Sequence, residues 1–271
     1  MVAATAARGS LCVGVDPHAS LLTSWGLSDD ATGLAAFTEI CTEAFGPTAA
    51  VIKPQSAFFE RFGSAGIAVL EQLTVNCRAQ GALVLLDVKR GDIGSTMDAY
   101  AEAYLDPASP LAADAITVSP YLGVGALEPA LDLATKHGNG VFVLALTSNK
   151  AGSTVQHAVG ASGRLVAQEI VDDLGARNAG ADPLGSFGVV VGATVGEIAA
   201  DLSGLNGPVL VPGVGAQGGT AADVRRLFGS GRGILPSASR AILGRGPSVP
   251  ALQAAVAEYV EQLAFLSCPG R

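Results

Sequence analysis

The sequence predicts an α/β protein, a (β/α)8 or TIM barrel, with residues 1–271 forming a single domain. Eight short apolar runs recur along the chain, helical patterns lie between them, and the chain closes on a helical pattern. The apolar runs are nearly continuous and not alternating, as is typical of parallel strands covered on both faces. Eightfold alternation favours a barrel, and a doubly wound open sheet is the alternative.

The predicted strands are rich in Val, Leu and Ile and end near polar or glycine-containing segments. They span residues 11–15, 49–53, 82–89, 114–119, 140–148, 187–193, 208–214 and 233–239. The length of 271 residues suits this fold, because α/β barrels reach about 250 residues as one domain.

Apolar residues at intervals of three and four predict helices between these strands. The helices are expected over residues 33–45, 66–79, 96–105, 125–137, 163–178, 220–228 and 249–266. The last is the clearest, with Leu252, Val256 and Leu263 on one stripe. The gap between strands six and seven holds only residues 197–205, a short helix at best.

Composition and charge exclude several classes of protein. Hydrophobic residues make up 49 % of the chain, which is enough for a large core. A net charge of −8 lacks the basic stripe that nucleic-acid binding requires. No apolar run is long enough to span a membrane, and residues 1–10 do not resemble a signal peptide.

The cysteines and histidines show no metal-binding spacing. Cys12, Cys41, Cys77 and Cys268 match neither a zinc pattern nor a CxxC motif, so we expect free thiols in a cytoplasmic protein. His18, His137 and His157 are equally scattered. No metal is therefore expected.

Charged residues at the ends of apolar strands are the first candidates for chemistry, because burying them is costly unless they are paired. Asp87 and Lys89 are two residues apart on one strand, so their side chains point to the same face. Asp92 follows in the next loop, and Lys53 ends the preceding strand. A lysine between carboxylates keeps its charge, which suits a proton donor and not a Schiff-base nucleophile. A structural salt-bridge network at the barrel rim is the alternative.

A glycine-rich segment, VPGVGAQGG at 211–219, is the second candidate. Backbone amides in such a loop can bind an anion, and the N-terminus of the helix that Thr220 and Asp223 open would add positive potential. Gln217 and Arg240 could complete a phosphate site of the kind found after strands seven and eight of barrels. A plain tight turn is the alternative.

One connection is longer than a normal βα loop. Residues 149–163 are rich in small side chains and could form either a mobile lid or a surface loop.

The segment DVKRGDIGST at 87–96 resembles the D-x-K-x-x-D-I-x-x-T signature of the orotidine 5′-phosphate decarboxylases, in their longer bacterial branch. Further segments similar to that family follow in the family's order and cover most of the chain. They are VGVDP at 13–17, VIKPQ at 51–55, VSPYLG at 118–123, LALTSN at 144–149 and VPGVGAQGG at 211–219.

The resemblance implies decarboxylation of orotidine 5′-phosphate to UMP and CO2 in pyrimidine biosynthesis. It also implies a homodimer with shared active sites and neither a metal nor an organic cofactor. It further implies that Lys89 donates a proton to C6, that Asp87 lies against the substrate carboxylate, and that Lys53 bridges Asp87 and the ribose hydroxyls. Asp16 would hold a ribose hydroxyl, and Asp92 and Thr96 would reach the ribose site of the partner subunit. Ser148 would contact the pyrimidine edge, and Gln217 and Arg240 would hold the phosphate.

Two positions depart from the pattern of the family. Ser239 stands where many members have a glycine before the phosphate arginine, and Val195 stands where many have an arginine. Related barrels that act on ribulose-type phosphates share D-x-K-x-x-D but use Mg2+ and lack the continuation that Ile93 and Thr96 provide. A non-catalytic phosphosugar-binding barrel is a further alternative, although such a protein has no need of the charged residues Lys53, Asp87, Lys89 and Asp92.

Overall fold

Eight parallel strands close into a barrel in the order of the sequence in the computed structural model, which describes residues 1–266. The strands are β1 (Cys12–Val15), β2 (Val51–Pro54), β3 (Leu83–Arg90), β4 (Ala115–Val118), β5 (Gly140–Leu146), β6 (Phe187–Val191), β7 (Val209–Pro212) and β8 (Ile234–Ala238). Pairing of β8 with β1 closes the barrel. The predicted barrel is confirmed, and every strand lies within two residues of its predicted ends.

Twelve α-helices are formed by the described residues. They are α1 (Val2–Arg8), α2 (Ala19–Ser24), α3 (Ala31–Phe45), α4 (Ala57–Glu60), α5 (Gly63–Ala79), α6 (Gly94–Leu105), α7 (Glu128–His137), α8 (Ser153–Gln156), α9 (Val166–Arg177), α10 (Ala221–Phe228), α11 (Arg240–Leu243) and α12 (Val249–Gln262). The seven helices predicted from periodicity are α3, α5, α6, α7, α9, α10 and α12. The five that the prediction missed have four to seven residues each, too few to show a period.

The core has two layers that follow from the alternation of side chains along each strand. Cys12, Leu85 and Phe142 belong to a small cluster inside the barrel. The larger layer fills the space between strands and helices, where Val13 and Leu86 pack with Phe37. Because the strands are parallel, all their carboxyl ends open at one end of the barrel.

Helix α1 covers the opposite end of the barrel. Met1 and Ala4 pack against the inner cluster. The Arg8 guanidinium donates hydrogen bonds to the carbonyls of Gly46 and Ala49, at 3.0 Å each. The open end is therefore the one at which the strands terminate.

The connection between β6 and β7 contains no helix at residues 197–205, where the sequence allowed a short one at best. Turns replace it, and the Asp201 carboxylate accepts a hydrogen bond from the Ser203 amide at 2.9 Å. The Asn178 side chain holds this connection by donating to the carbonyls of Phe187 and Leu205, at 2.7 and 2.9 Å. Local bonds from a side chain to nearby backbone, such as that between Asp201 and the Ser203 amide, compete with helix formation.

None of the helices in residues 1–266 is both long and apolar enough to cross a membrane. Cys12, Cys41 and Cys77 are buried free thiols, and Cys268 lies outside the described residues.

Candidate active site

A cavity of about 250 Å³ lies at the carboxyl ends of the strands. It brings together seven of the nine residues that the sequence singled out. These are Asp16, Lys53, Asp87, Lys89, Ser148, Gln217 and Arg240. Asp92 and Thr96 do not line this cavity.

The Asp87 carboxylate is the centre of a charged cluster at the base of the cavity. Lys53 Nζ lies 2.7 Å from Asp87 Oδ2, and Lys89 Nζ lies 2.5 Å from Asp87 Oδ1. The side chains of Lys53 and Asp87 are only 7 % and 8 % exposed, whereas that of Lys89 is 43 % exposed. Of the two ammonium groups, that of Lys89 is therefore the one accessible to a bound molecule.

Two residues of this cluster were not predicted. The Thr117 hydroxyl donates to Asp87 Oδ1 at 2.7 Å and accepts from the Lys89 amide at 3.0 Å. Gln55 accepts from Lys89 Nζ at 3.4 Å and donates to the Asp87 carbonyl at 3.2 Å. Thr117 carries a hydroxyl inside the apolar run AITV. A search of the predicted strands for polar side chains, and not only for charged ones, would therefore have found it.

Opposing effects set the charges of the buried groups. Burial acts to raise the pKa of Asp87, but the ammonium groups of Lys53 and Lys89 outweigh it and hold that pKa well below its ordinary value. Burial acts to lower the pKa of Lys53, but the carboxylates of Asp87 and Asp16 raise it above its ordinary value. Burial raises the pKa of the Cys12 thiol to about 12, which keeps it neutral. With Lys89 protonated, the cluster of two lysines and one aspartate carries a net charge of +1.

Two other polar atoms at the cavity lack hydrogen-bond partners within the described residues. Asp16 Oδ1 and Ser239 Oγ are buried and accept or donate no hydrogen bond within residues 1–266. Ser239 packs closely on Gly14, where a Cβ atom would lie 2.6 Å from the Ser239 Cβ. Since unpaired buried polar atoms are costly, these two are suited to a hydrogen-bonding ligand.

The glycine-rich loop after β7 folds back on itself. Gly213 and Gly215 have φ of +101° and +85°, which only glycine adopts without strain. The amides of Gly215 and Gly219 donate to loop carbonyls, at 2.7 and 3.1 Å. The amides of Gly213, Ala216 and Gln217 have no acceptor within the described part of the chain. The amides of the loop that are free to bind an anion are thus limited to these three.

The start of α10 differs from the expectation. Asp223 accepts from the Thr220 amide at 3.0 Å, and Thr220 Oγ1 accepts from the Asp223 amide at 3.1 Å. This capping box places a carboxylate at the helix N-terminus, where an external anion would otherwise be favoured. The Asp223 carboxylate therefore offsets the positive potential that we expected the N-terminus of α10 to add.

The exposed Arg240 begins the short helix α11 directly after β8, beside the glycine-rich loop. It forms no ion pair with any residue in 1–266. A short additional helix after strand eight is a recurring part of phosphate sites in barrels. The sequence indicated the arginine but not this helix.

The 149–163 segment packs against the end of β5, and none of its residues lines the cavity. It contains a 3-10 turn (Lys150–Gly152) and α8. Gln156 of α8 accepts from the Thr147 amide at 2.9 Å and donates to Thr147 Oγ1 at 2.7 Å. These bonds hold the segment against the end of β5, next to the exposed Ser148.

Asp92 and Thr96 lie outside the cavity, on the loop after β3 and on α6. Asp92 Oδ1 accepts from the Ile93 amide at 2.8 Å, and Thr96 is exposed. Their predicted action at a neighbouring subunit stays a prediction.

The fold and the site together define a class of protein. A (β/α)8 barrel with a buried Asp–Lys cluster, and with a glycine-rich loop and an arginine after strands seven and eight, is a barrel enzyme of the kind that acts on phosphorylated small molecules. The model of the Orotidine 5′-phosphate decarboxylase / HUMPS family matches residues 9–255. The chain belongs to this family.

Relatives support this membership over nearly the whole chain. Proteins named orotidine 5′-phosphate decarboxylase from Salinispora arenicola and Streptomyces coelicolor are 61 % and 56 % identical to it, over 93 % and 94 % of this chain and 91 % and 92 % of theirs. A crystal structure from Streptomyces avermitilis, provisionally assigned as that enzyme, has a TM-score of 0.95 at 56 % identity, over 98 % of this chain and 94 % of that one. Leishmania donovani OMP decarboxylase has a TM-score of 0.73 at 28 % identity, over 99 % and 98 % of the two chains.

Proposed function

We propose that this chain decarboxylates orotidine 5′-phosphate to UMP and CO2 in pyrimidine biosynthesis, with Lys89 as the proton donor to C6. The observation that carries the proposal is the Lys89 ammonium, which is accessible in the cavity and held 2.5 Å from Asp87. The names of the curated relatives support the same reaction.

The chemistry requires a positive charge beside the reacting carbon. When the bond between C6 and the carboxylate breaks, CO2 leaves and the electron pair stays on C6. An ammonium about 4 Å away stabilises that charge by about 4 kcal/mol at an effective dielectric near 20. Lys89 then transfers a proton to C6, which gives UMP, and the neutral amine regains a proton from solvent.

Asp87 contributes mainly by positioning. Its carboxylate would repel the carboxylate of the substrate, but the two ammonium groups that contact it offset this repulsion. Lys53 keeps Asp87 ionised, and Asp87 in turn directs Lys89 into the cavity. We therefore assign the larger contribution to stabilisation of the developing carbanion by Lys89.

The remaining lining residues are proposed to bind the rest of the nucleotide. Asp16, with its unpartnered Oδ1, accepts from a ribose hydroxyl, and Ser148 contacts the pyrimidine edge. Gln217 and Arg240 hold the phosphate. Phosphate contacts are remote from C6, and their binding energy serves to position the base and exclude water.

We further propose a homodimer in which Asp92 and Thr96 reach the ribose site of the partner subunit. Asp92 and Thr96 flank Ile93 in the sequence, and Ile93 is exposed together with Tyr121 and Leu122 after the neighbouring strand β4, at 62 %, 77 % and 52 %. A surface of this kind is suited to burial against a second copy. The enzyme would act in the cytoplasm with neither a metal nor an organic cofactor.

One assay tests the reaction and its metal requirement together. Purified protein should decrease the absorbance of orotidine 5′-phosphate equally with and without EDTA. No decrease would overturn the proposal, and a decrease that EDTA abolishes would point to the metal-dependent barrels.

Mixing two inactive variants tests the shared site. Asp92→Ala and Lys89→Ala subunits each damage a different half of the site, so a mixed dimer contains one intact site. Activity should return after subunit exchange. Failure to regain activity, with exchange verified by mass spectrometry, would contradict the dimer proposal.

A further inference from the structure

The backbone that carries Lys89 is irregular at the residue itself. Lys89 has φ of +45°, in the left-handed region that non-glycine residues rarely adopt. Strand β3 pairs with β4 at Leu86↔Ile116 and again at Arg90↔Val118, so four residues advance on β3 for two on β4. Lys89 therefore lies on a bulge that must be held by contacts outside it, as strained active-site residues are.

Arg90 is the residue at which the bulge ends. Its carbonyl accepts from the Ser119 amide at 2.7 Å, where pairing with β4 resumes. Its side chain turns away from the cavity that Lys89 lines. Arg90 donates to Glu60 Oε1 at 2.5 Å, to the Tyr104 hydroxyl at 3.2 Å and to the Val88 carbonyl at 3.3 Å.

The segment that contains Glu60, residues 56–60, also contacts the other end of the bulge, at Asp87. The Ser56 amide donates to the Asp87 carbonyl at 3.3 Å, and the Ser56 hydroxyl donates to Glu60 Oε1 at 2.6 Å. Residues 56–60 thus hold the bulge at Asp87 and, through Glu60, at Arg90. Of these contacting residues only Asp87 lines the cavity, whereas Ser56, Glu60 and Arg90 do not.

We propose that Arg90, through its ion pair with Glu60, is a positioning residue that holds the Lys89 bulge in its reactive geometry. The inference rests on the proposed role of Lys89 as proton donor. Arg90 neither touches the cavity nor reaches the substrate, so it acts on the reaction only through the backbone of Lys89. A displacement of about 1 Å in a reacting group is enough to cost about a hundredfold in rate.

Replacement of the pair tests the proposal. Arg90→Met should lower kcat by about 10- to 100-fold and leave KM within about threefold, because the nucleotide contacts are untouched. Glu60→Gln should lower kcat in the same direction, and Arg90→Lys, which can still pair with Glu60, should restore part of it. The double variant Arg90→Met/Glu60→Gln should be no more than about twofold worse than Arg90→Met, since both changes break one interaction.

A matched control comes from a second half-buried arginine. The Arg177 side chain is 26 % exposed, against 27 % for Arg90, and pairs with Glu128 and Asp173 on the outer helices. Arg177→Met should lower the melting temperature without changing kcat. The kcat of each variant is measured at a temperature at which circular dichroism shows that the variant is folded. If Arg90→Met does not fold, Glu60→Gln and Arg90→Lys decide the matter.

The outcomes separate this inference from the proposed function. If the wild-type protein turns over and Lys89→Ala does not, while the folded Arg90 and Glu60 variants keep kcat within twofold, the positioning role is refuted and the function stands. Additive losses in the double variant would also refute it. A wild-type protein without decarboxylase activity would overturn both.

Discussion

Replacing Lys53 by methionine should destabilise the protein strongly, because it leaves a buried carboxylate with less compensation. The Lys53–Asp87 pair spans 2.7 Å, and both side chains are less than one tenth exposed. Removing one partner of such a pair typically costs 3–5 kcal/mol. Asp87 keeps its contacts with Lys89 and Thr117, so we expect the lower value, about 3 kcal/mol, which corresponds to a fall in Tm of roughly 6–12 °C.

The pH dependence of this loss has a defined sign. The pKa of Asp87 is lowered in the folded protein, so its stabilisation is present above the unfolded value of about 3.9 and is lost as the pH falls through the folded value. Lys53→Met raises the folded pKa of Asp87. The difference in unfolding free energy between wild type and variant should therefore be constant from about pH 5 to 9 and shrink below about pH 4.

Urea unfolding followed by circular dichroism measures both quantities. Lys136→Met, at an exposed lysine of α7, is the control and should change the unfolding free energy by less than about 1 kcal/mol. Lys53→Met within 1 kcal/mol of wild type at pH 7, or a difference that grows at acid pH, would refute this reasoning.

Two further substitutions test other parts of the site. Arg240→Ala should raise KM by about 10- to 100-fold, with exposed Arg232→Ala as the control, and an unchanged KM would place the phosphate elsewhere. Thr117→Val keeps the shape of the side chain but removes the hydroxyl between Asp87 and Lys89, so kcat should fall by about 10- to 100-fold at nearly constant KM. Full activity in steady-state assays of Thr117→Val would show that this hydroxyl is dispensable.

The strands and the charged cluster could be predicted because their signals are local. A run such as ALVLLDVK is apolar except at Asp87 and Lys89, which line the cavity at its carboxyl end, so it marks both a strand and a site. The pairing of Lys53 with Asp87 then follows from the adjacency of consecutive strands in a parallel barrel.

The features that escaped prediction depend on contacts between distant segments. The left-handed backbone of Lys89 is stabilised by Arg90 and Glu60, which lie 30 residues apart in the sequence. The spacing of Asp223 from Thr220 is typical of a capping box. Only the structure shows that the Asp223 carboxylate accepts from the Thr220 amide, at the N-terminus of α10. Four-residue helices such as α11 are too short to show periodicity.

The turnover of Lys89→Ala tests the central claim most directly. The ammonium of Lys89 both stabilises the carbanion at C6 and supplies its proton, so its removal should abolish nearly all conversion of orotidine 5′-phosphate to UMP, measured by product formation with a variant shown to be folded. Turnover within about tenfold of wild type, worth less than about 1.4 kcal/mol of barrier, would remove this lysine from the chemistry.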